Sequence, residues 1–125
     1  GLAARAVVTG AIPPDRMADY LQLFDILVFP SLFSEGCPLS MLEGMALGKA
    51  IVGSRVAAIP EIIRHGENGL LVDPGSSEQI AAAILELVRD PQRRARLGAA
   101  ARATAESMNP AHETREWLEV YASLI

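Results

Sequence analysis

Residues 25–54 read DILVFPSLFSEGCPLSMLEGMALGKAIVGS, and this stretch decides the fold. "DILVFP" is a short run of β-branched and aromatic residues stopped by Pro30, the pattern of a buried strand. "SLFSEGC" is a loop. "PLSMLEGMALG" reads as a helix with Pro38 in its first turn and Gly48 just past its end. "AIVGS" is again a strand. Apolar strands alternating with helices predict a parallel sheet covered on both faces.

The same rhythm continues outward on both sides. "RAVVTG" reads as a buried strand closed by Gly10. "PPDRMADYLQLF" reads as a helix with Met17, Tyr20, Leu21 and Phe24 on one side. "AAIPEIIRHGENG" is expected to hold a short helix and a turn, and "GLLVDPG" a fourth strand ended at Asp73-Pro74-Gly75. "SSEQIAAAILELV" is amphipathic, with Ile80, Ala83, Ile84 and Leu87 inward. Two further helices open at Asp90-Pro91 and Asn109-Pro110. There is no internal repeat. On sheets of this kind ligands bind outside the carboxyl ends of the strands. That directs attention to Thr9–Ile12, Pro30–Leu39, Ser54–Pro60 and the turn after Val72.

Bulk properties narrow the classes. The 125 residues suit one domain or part of one, and half are apolar. The net charge of −4 argues against a broad nucleic-acid surface. One cysteine excludes an internal disulfide and most zinc sites and is compatible with a reducing compartment. No apolar run approaches a membrane span. No signal peptide is visible, and the abrupt start suggests a piece of a longer protein.

The chemistry concentrates between residues 34 and 44. Glu35 and Glu43 stand eight apart, but so do Glu78 and Glu86 on a solvated helix face, so spacing alone is weak. Context separates the pairs. Glu35 precedes Pro38 and lies on the loop at a strand's carboxyl end. Pro38 at the first helical position makes Cys37 the N-cap, and cysteine has no side-chain oxygen to cap with. The amides of Leu39 and Ser40 are then free at the positive end of the helix dipole, with Gly36 permitting close approach of a phosphate. Glu43 falls beside Leu39 and Leu47 on the helical wheel, close to Leu42 and Ala46. A carboxylate in so apolar a setting is expected to be buried and to need donors, which a ribose diol would supply. The set fits a sugar–diphosphate–ribose ligand. The plainer reading, in which Glu35 caps locally and Glu43 pairs with an arginine, stays open on these residues alone.

The other polar residues invite plainer readings. His65 and His112 read as solvated side chains without a second ligand at metal spacing. Cys37 could have a lowered pKa at a helix start, but no histidine accompanies it. Glu61 reads as bracing its short helix, and the arginines of "RDPQRRARLGAAAR" as a solvated face.

From "VVTGAI" to "WLEVY" the chain resembles the C-terminal, donor-binding domain of retaining glycosyltransferases of family 4, with the GT-B fold. The paired glutamates, "IPEII" and "NGLLVDP" occur in the family's order. The resemblance implies a Rossmann-like α/β domain whose sheet has strand order 3-2-1-4-5-6. Residues 1–125 would be a partial nucleotide-sugar-binding domain lacking its first two strands. It also implies sugar transfer from a nucleotide-diphosphate donor with retention of anomeric configuration. Glu35 would contact the donor sugar and serve catalysis. Gly36, Cys37, Leu39 and Ser40 would hold sugar hydroxyls and diphosphate through their amides. Glu43 would take the ribose, and Gly10 and Ile12 the base. No metal is expected, since no Asp-x-Asp pair is present. Partners would be the nucleotide-sugar donor and an N-terminal acceptor domain of the same protein, with no nucleic acid and no transmembrane segment. The complete protein would be cytoplasmic or peripheral at the inner membrane face. Alone, the piece is expected not to catalyse transfer, and its gapped sheet to favour strand exchange, dimers or aggregation. Were it to pack alone, the segment at Val7–Val8 would have to pair directly with the strand at Ile26–Phe29.

Four positions depart from the family's usual residues: Gly44 for alanine, Ala57 and Ala58 for glycines, and Ala50 for proline. An epimerase of the same fold would need acid and base residues not evident here. A receiver domain would need an aspartate at a strand end with an acidic cluster, and an NAD-type fold a glycine fingerprint that "TGAIPPD" is not.

Overall fold

The computed structural model describes residues 2–33, 36–108 and 110–124. Three parallel strands, β1 (Ile26–Phe29), β2 (Ala50–Ser54) and β3 (Leu70–Val72), form one sheet in the order β1-β2-β3. The helices are α1 (Met17–Gln22), α2 (Leu39–Ala46), α3 (Ile59–Ile62), α4 (Ser77–Arg89), α5 (Pro91–Ser107) and α6 (Pro110–Ser123). Strand order and direction agree with the last three strands of the resembled fold.

The central strand explains the layering. Every residue of β2 is buried, and side chains alternate between its faces. Ile51 packs with Leu27, Leu71, Met41, Met45, Ile59 and Ile62, the layer that carries α2 and α3. Ala50 and Val52 pack with Leu70, Val72, Ala83, Leu87 and Leu97, the layer that carries α4 and the start of α5. On α4 Ala83 and Leu87 are buried and Ile80 packs against them as the period predicts, while the expected fourth member, Ile84, is half-buried and outside this cluster.

Close backbone approach sets the α2–α5 contact. Gly48 ends α2 at φ +70°, with Gly48 N donating to Met45 O and Lys49 N to Gly44 O, at 2.8 and 3.0 Å, a Schellman closure. Gly98 of α5 lies so near that a Cβ there would overlap the Gly48 carbonyl oxygen. The family's alanine at position 44 would meet the end of the Leu27 side chain, so glycine here lets α2 sit low on β1.

Several expectations are corrected. "RAVVTG" is not a strand: residues 6–10 are coil, with Val7 86 % and Val8 96 % exposed. A strand gains its stability from a paired neighbour and a covered face, and this segment has neither. The direct pairing of Val7–Val8 with Ile26–Phe29 does not occur. The expected helix after Pro13 is a 3-10 turn at Pro14–Arg16 followed by a short α1, with Leu21 buried and Phe24 beyond its end and exposed. At α2 the N-cap is Pro38, not Cys37, and Leu39 is the first helical residue. No helix among the described residues is long and apolar enough to cross a membrane.

Candidate functional site

The start of α2 stands on the loop that leaves the carboxyl end of β1. The one-residue shift of the cap leaves the electrostatic argument intact, because Pro38 supplies no side-chain acceptor either. The Pro38 carbonyl takes the amides of Met41 and Leu42, at 2.9 and 3.3 Å. Among the described residues nothing accepts from Leu39 N or Ser40 N. The other long helices with described starts each carry a side-chain cap on the third amide, although Ser77 N and Glu78 N of α4 also have no acceptor among the described residues. Ser76 Oγ accepts from Gln79 N on α4, and Asp90 Oδ1 accepts from Arg93 N at 2.8 Å on α5.

The opposite end of the sheet is neutralised. Helices antiparallel to the strands bring their negative ends there, and cations meet them. Lys49 Nζ donates to Gln22 O, the last residue of α1, at 2.9 Å. Arg94 donates to Leu87 O near the end of α4, at 3.0 Å. An open cavity of about 260 Å³ at this end is lined by Asp25, Lys49 and Arg94. Its cations are already engaged with those carbonyls. A second, of about 190 Å³, lies between β3 and α4. Neither includes a residue from the start of α2.

Glu43 is one turn into α2 but exposed. The expectation of a buried carboxylate in need of donors is wrong. The helix buries Met41, Gly44 and Met45, so Glu43 shares the outer face with Leu39, itself 73 % exposed. The helical wheel sets these two side by side, and the apolar side chains around Glu43 belong to an exposed face of α2. The Glu43 carboxylate has no ion pair or hydrogen bond among the described residues. Pairing with an arginine is therefore not observed, and burial supplies no demand for ribose donors. Gly36 and Cys37 are exposed beside the helix start. Partial burial pushes the Cys37 thiol up, against the lowered value expected at a helix start. Glu35 lies outside the described residues.

Gly10 (φ +69°) is exposed and Ile12 half-buried. No hydrogen bond among the described residues ties this segment to α2. Glu61 is exposed and its side chain braces nothing among the described residues. His65 is exposed but not merely solvated, since its Nδ1 accepts from Leu71 N at 2.9 Å. The His112 side chain lies outside the description. Among the described residues no three His, Cys, Asp or Glu side chains gather as a metal site.

Two features escaped the sequence. Asn68 is buried and fully engaged: Oδ1 accepts from Arg64 N at 2.7 Å, and Nδ2 donates to Ile62 O and Thr104 Oγ1, both at 3.0 Å. The turn "HGENG" was the only signal of it. Ala57 has φ +48° in the loop after β2, where the resembled family often has glycine.

The description "Glycosyl transferases group 1" matches this chain over residues 1–90. The chain belongs to that family. It is 36 % identical over 121 residues to a D-inositol 3-phosphate glycosyltransferase of Rhodococcus opacus, covering 97 % of this chain and 27 % of the relative. The chain thus spans about a quarter of the length of the curated relatives it matches. Among solved structures, sucrose-phosphate synthase of Thermosynechococcus elongatus superposes with a TM-score of 0.88 at 27 % identity, over 98 % of this chain and 31 % of that one. TarM of S. aureus, solved in a complex that includes UDP, superposes with a TM-score of 0.76 at 27 % identity, over 85 % and 22 %. The parallel α/β sheet is thus that of GT-B glycosyltransferases in this family.

Proposed function

We propose that this chain is the donor-binding part of a glycosyltransferase that moves a sugar from a nucleotide diphosphate to an acceptor with retention. The observation that carries the reading is the start of α2. It is the one long helix with a described start that lacks a side-chain cap, and it stands at the carboxyl end of the sheet, where ligands of such folds bind. Two free amides and a positive helix end suit a diphosphate. The UDP complex of TarM supports the ligand class.

In this reading the amides of Gly36, Cys37, Leu39 and Ser40 hold the sugar and diphosphate. Glu43, an unengaged acceptor one turn along, takes the ribose hydroxyls. Glu35 meets the donor sugar where positive charge develops in an oxocarbenium-like transition state. Gly10 and Ile12 serve the base. The reaction uses no metal. The acceptor is bound by a further domain, so these 125 residues do not transfer sugar by themselves. The complete protein works in the cytoplasm.

The test is calorimetric titration of the protein with UDP, GDP and ADP, before and after Glu43→Ala. One of the three should bind, and the variant should weaken it. Binding of none, or binding indifferent to Glu43, overturns the reading.

A further inference from the structure

The hollow between β3 and α4 is made by the chain's own packing. Leu70 and Val72 of β3 turn toward α4. The helix answers with Ala82 and Ala83, set between Gln79 and Glu86. Only methyl groups stand there, where longer side chains would fill the space. The result is a cavity of about 190 Å³ with apolar walls and polar groups at its two ends.

One end is shut. Gln79 Oε1 accepts from Asp73 N, and Gln79 Nε2 donates to Asp73 Oδ2, both at 2.8 Å. These bonds engage both sides of the amide and pin the first turn of α4 to the carboxyl end of β3. The other end is the mouth. α4 runs antiparallel to β3, so Glu86, about two turns beyond Gln79, lies toward the strand's amino end. His65 stands there too, in the turn just before the strand.

The two groups at the mouth are complementary. His65 Nδ1 accepts from Leu71 N at 2.9 Å, so the imidazole is neutral and carries its hydrogen on Nε2. That N–H has no acceptor among the described residues. Glu86 Oε1 meets Arg93 Nε at 2.6 Å, which leaves Oε2 without a partner among them. A ligand that suits the hollow has an apolar body and, at one edge, a single group that accepts from His65 and donates to Glu86. A hydroxyl does both; a hydrocarbon, a carboxylate or an ammonium does not. A dry cavity of about 150 Å³ holds a benzene ring, and drug-sized ligands need about 300 Å³ or more, so the volume fits one ring. A rigid ring also loses no internal freedom on binding.

We propose that this hollow is a binding site for a small phenol, with the ring against Leu70, Ala82 and Ala83 and the hydroxyl at the mouth between His65 and Glu86. The site shares no residue with the start of α2, so the proposal is independent of the donor-site reading.

The test is titration of the protein, followed by amide NMR, with phenol and with toluene, which has the same shape and no hydroxyl. Phenol should shift the Leu71 and Ala83 amides and approach saturation by about 5 mM, and toluene should bind about fivefold more weakly. Ala82→Leu fills the hollow from an exposed helical position that leucine suits. It should keep the thermal midpoint and abolish the shifts. Glu86→Ala should weaken phenol by about threefold and leave toluene unchanged. An absence of shifts at these amides with phenol at about 5 mM overturns the proposal. So does toluene binding as tightly as phenol, and so does phenol binding that survives Ala82→Leu or is indifferent to Glu86→Ala.

Discussion

Replacing Leu39 by proline isolates the role assigned to the start of α2. Proline deletes one amide and changes little else, because the first helical position has no intrahelical partner for that amide. The local geometry accepts it. A residue before proline must be extended, and Pro38 already sits at φ −67°, ψ 110°. The leucine side chain is 73 % exposed, so its loss removes little buried area. The protein should therefore fold with an unchanged or slightly raised thermal midpoint. A hydrogen bond to a charged group contributes about 1.5–3 kcal/mol. At so open a site water competes, so the lower figure applies, about a tenfold weakening of nucleoside diphosphate binding. Titration with the diphosphate and the parent nucleoside separates the effects: the diphosphate should lose about tenfold, the nucleoside nothing. Equal affinity for the diphosphate, in a variant with an intact midpoint, would refute the anion site.

Four further outcomes follow from the packing. Ala57→Gly should stabilise: alanine in the left-handed region costs about 1–2 kcal/mol, the extra freedom of unfolded glycine returns about 0.5–1, and the net gain of about 0.5–1 kcal/mol is readable by urea denaturation. Gly98→Ala should destabilise by about 1–3 kcal/mol, since the overlapped atom is the Gly48 carbonyl and a backbone cannot step aside. Gly44→Ala should be close to neutral on the same assay, because the Leu27 methyl it meets can rotate away and alanine favours the helix by about 1 kcal/mol. Asn68→Ala should cost about 2–3 kcal/mol by leaving Arg64 N and Ile62 O without their buried partner, again by denaturation.

The comparison of sequence with structure turns on which signals are local. β2, β3, α4 and α5 were legible because each carries its own period and its own end marks: Gly48 and Ala50 bracket a turn, Asp73-Pro74-Gly75 ends a strand, Ser76 and Asp90 cap helices. "RAVVTG" carries the same composition yet forms no strand, because a strand is completed by a neighbour and composition says nothing of whether one is present. Glu43 failed for a related reason. The wheel fixes which residues share a face, but not whether that face turns toward the sheet; Gly44, packed on Leu27, decides that it does not. Asn68 was invisible because its partners include Thr104 on a distant helix.

The candidate site therefore stands on a different footing from the one the sequence suggested. Burial of Glu43 no longer supports it. The contrast between helix ends does: Lys49 and Arg94 answer the negative ends at one side of the sheet, Ser76 caps α4 at the other, and α2 is left open there. Ser76 and Asp90 cap the third amides of α4 and α5, whereas no side chain caps the start of α2. If a diphosphate binds there, its affinity should fall with added salt, as for any exposed charge–dipole contact. The uncapped helix would otherwise be a plain defect, and a designed cap, Pro38→Ser, would then stabilise the protein by about 1 kcal/mol without touching nucleotide binding. Under the present reading the same substitution competes for the amides, so stability should rise while diphosphate affinity drops. Denaturation and titration of that one variant distinguish the two.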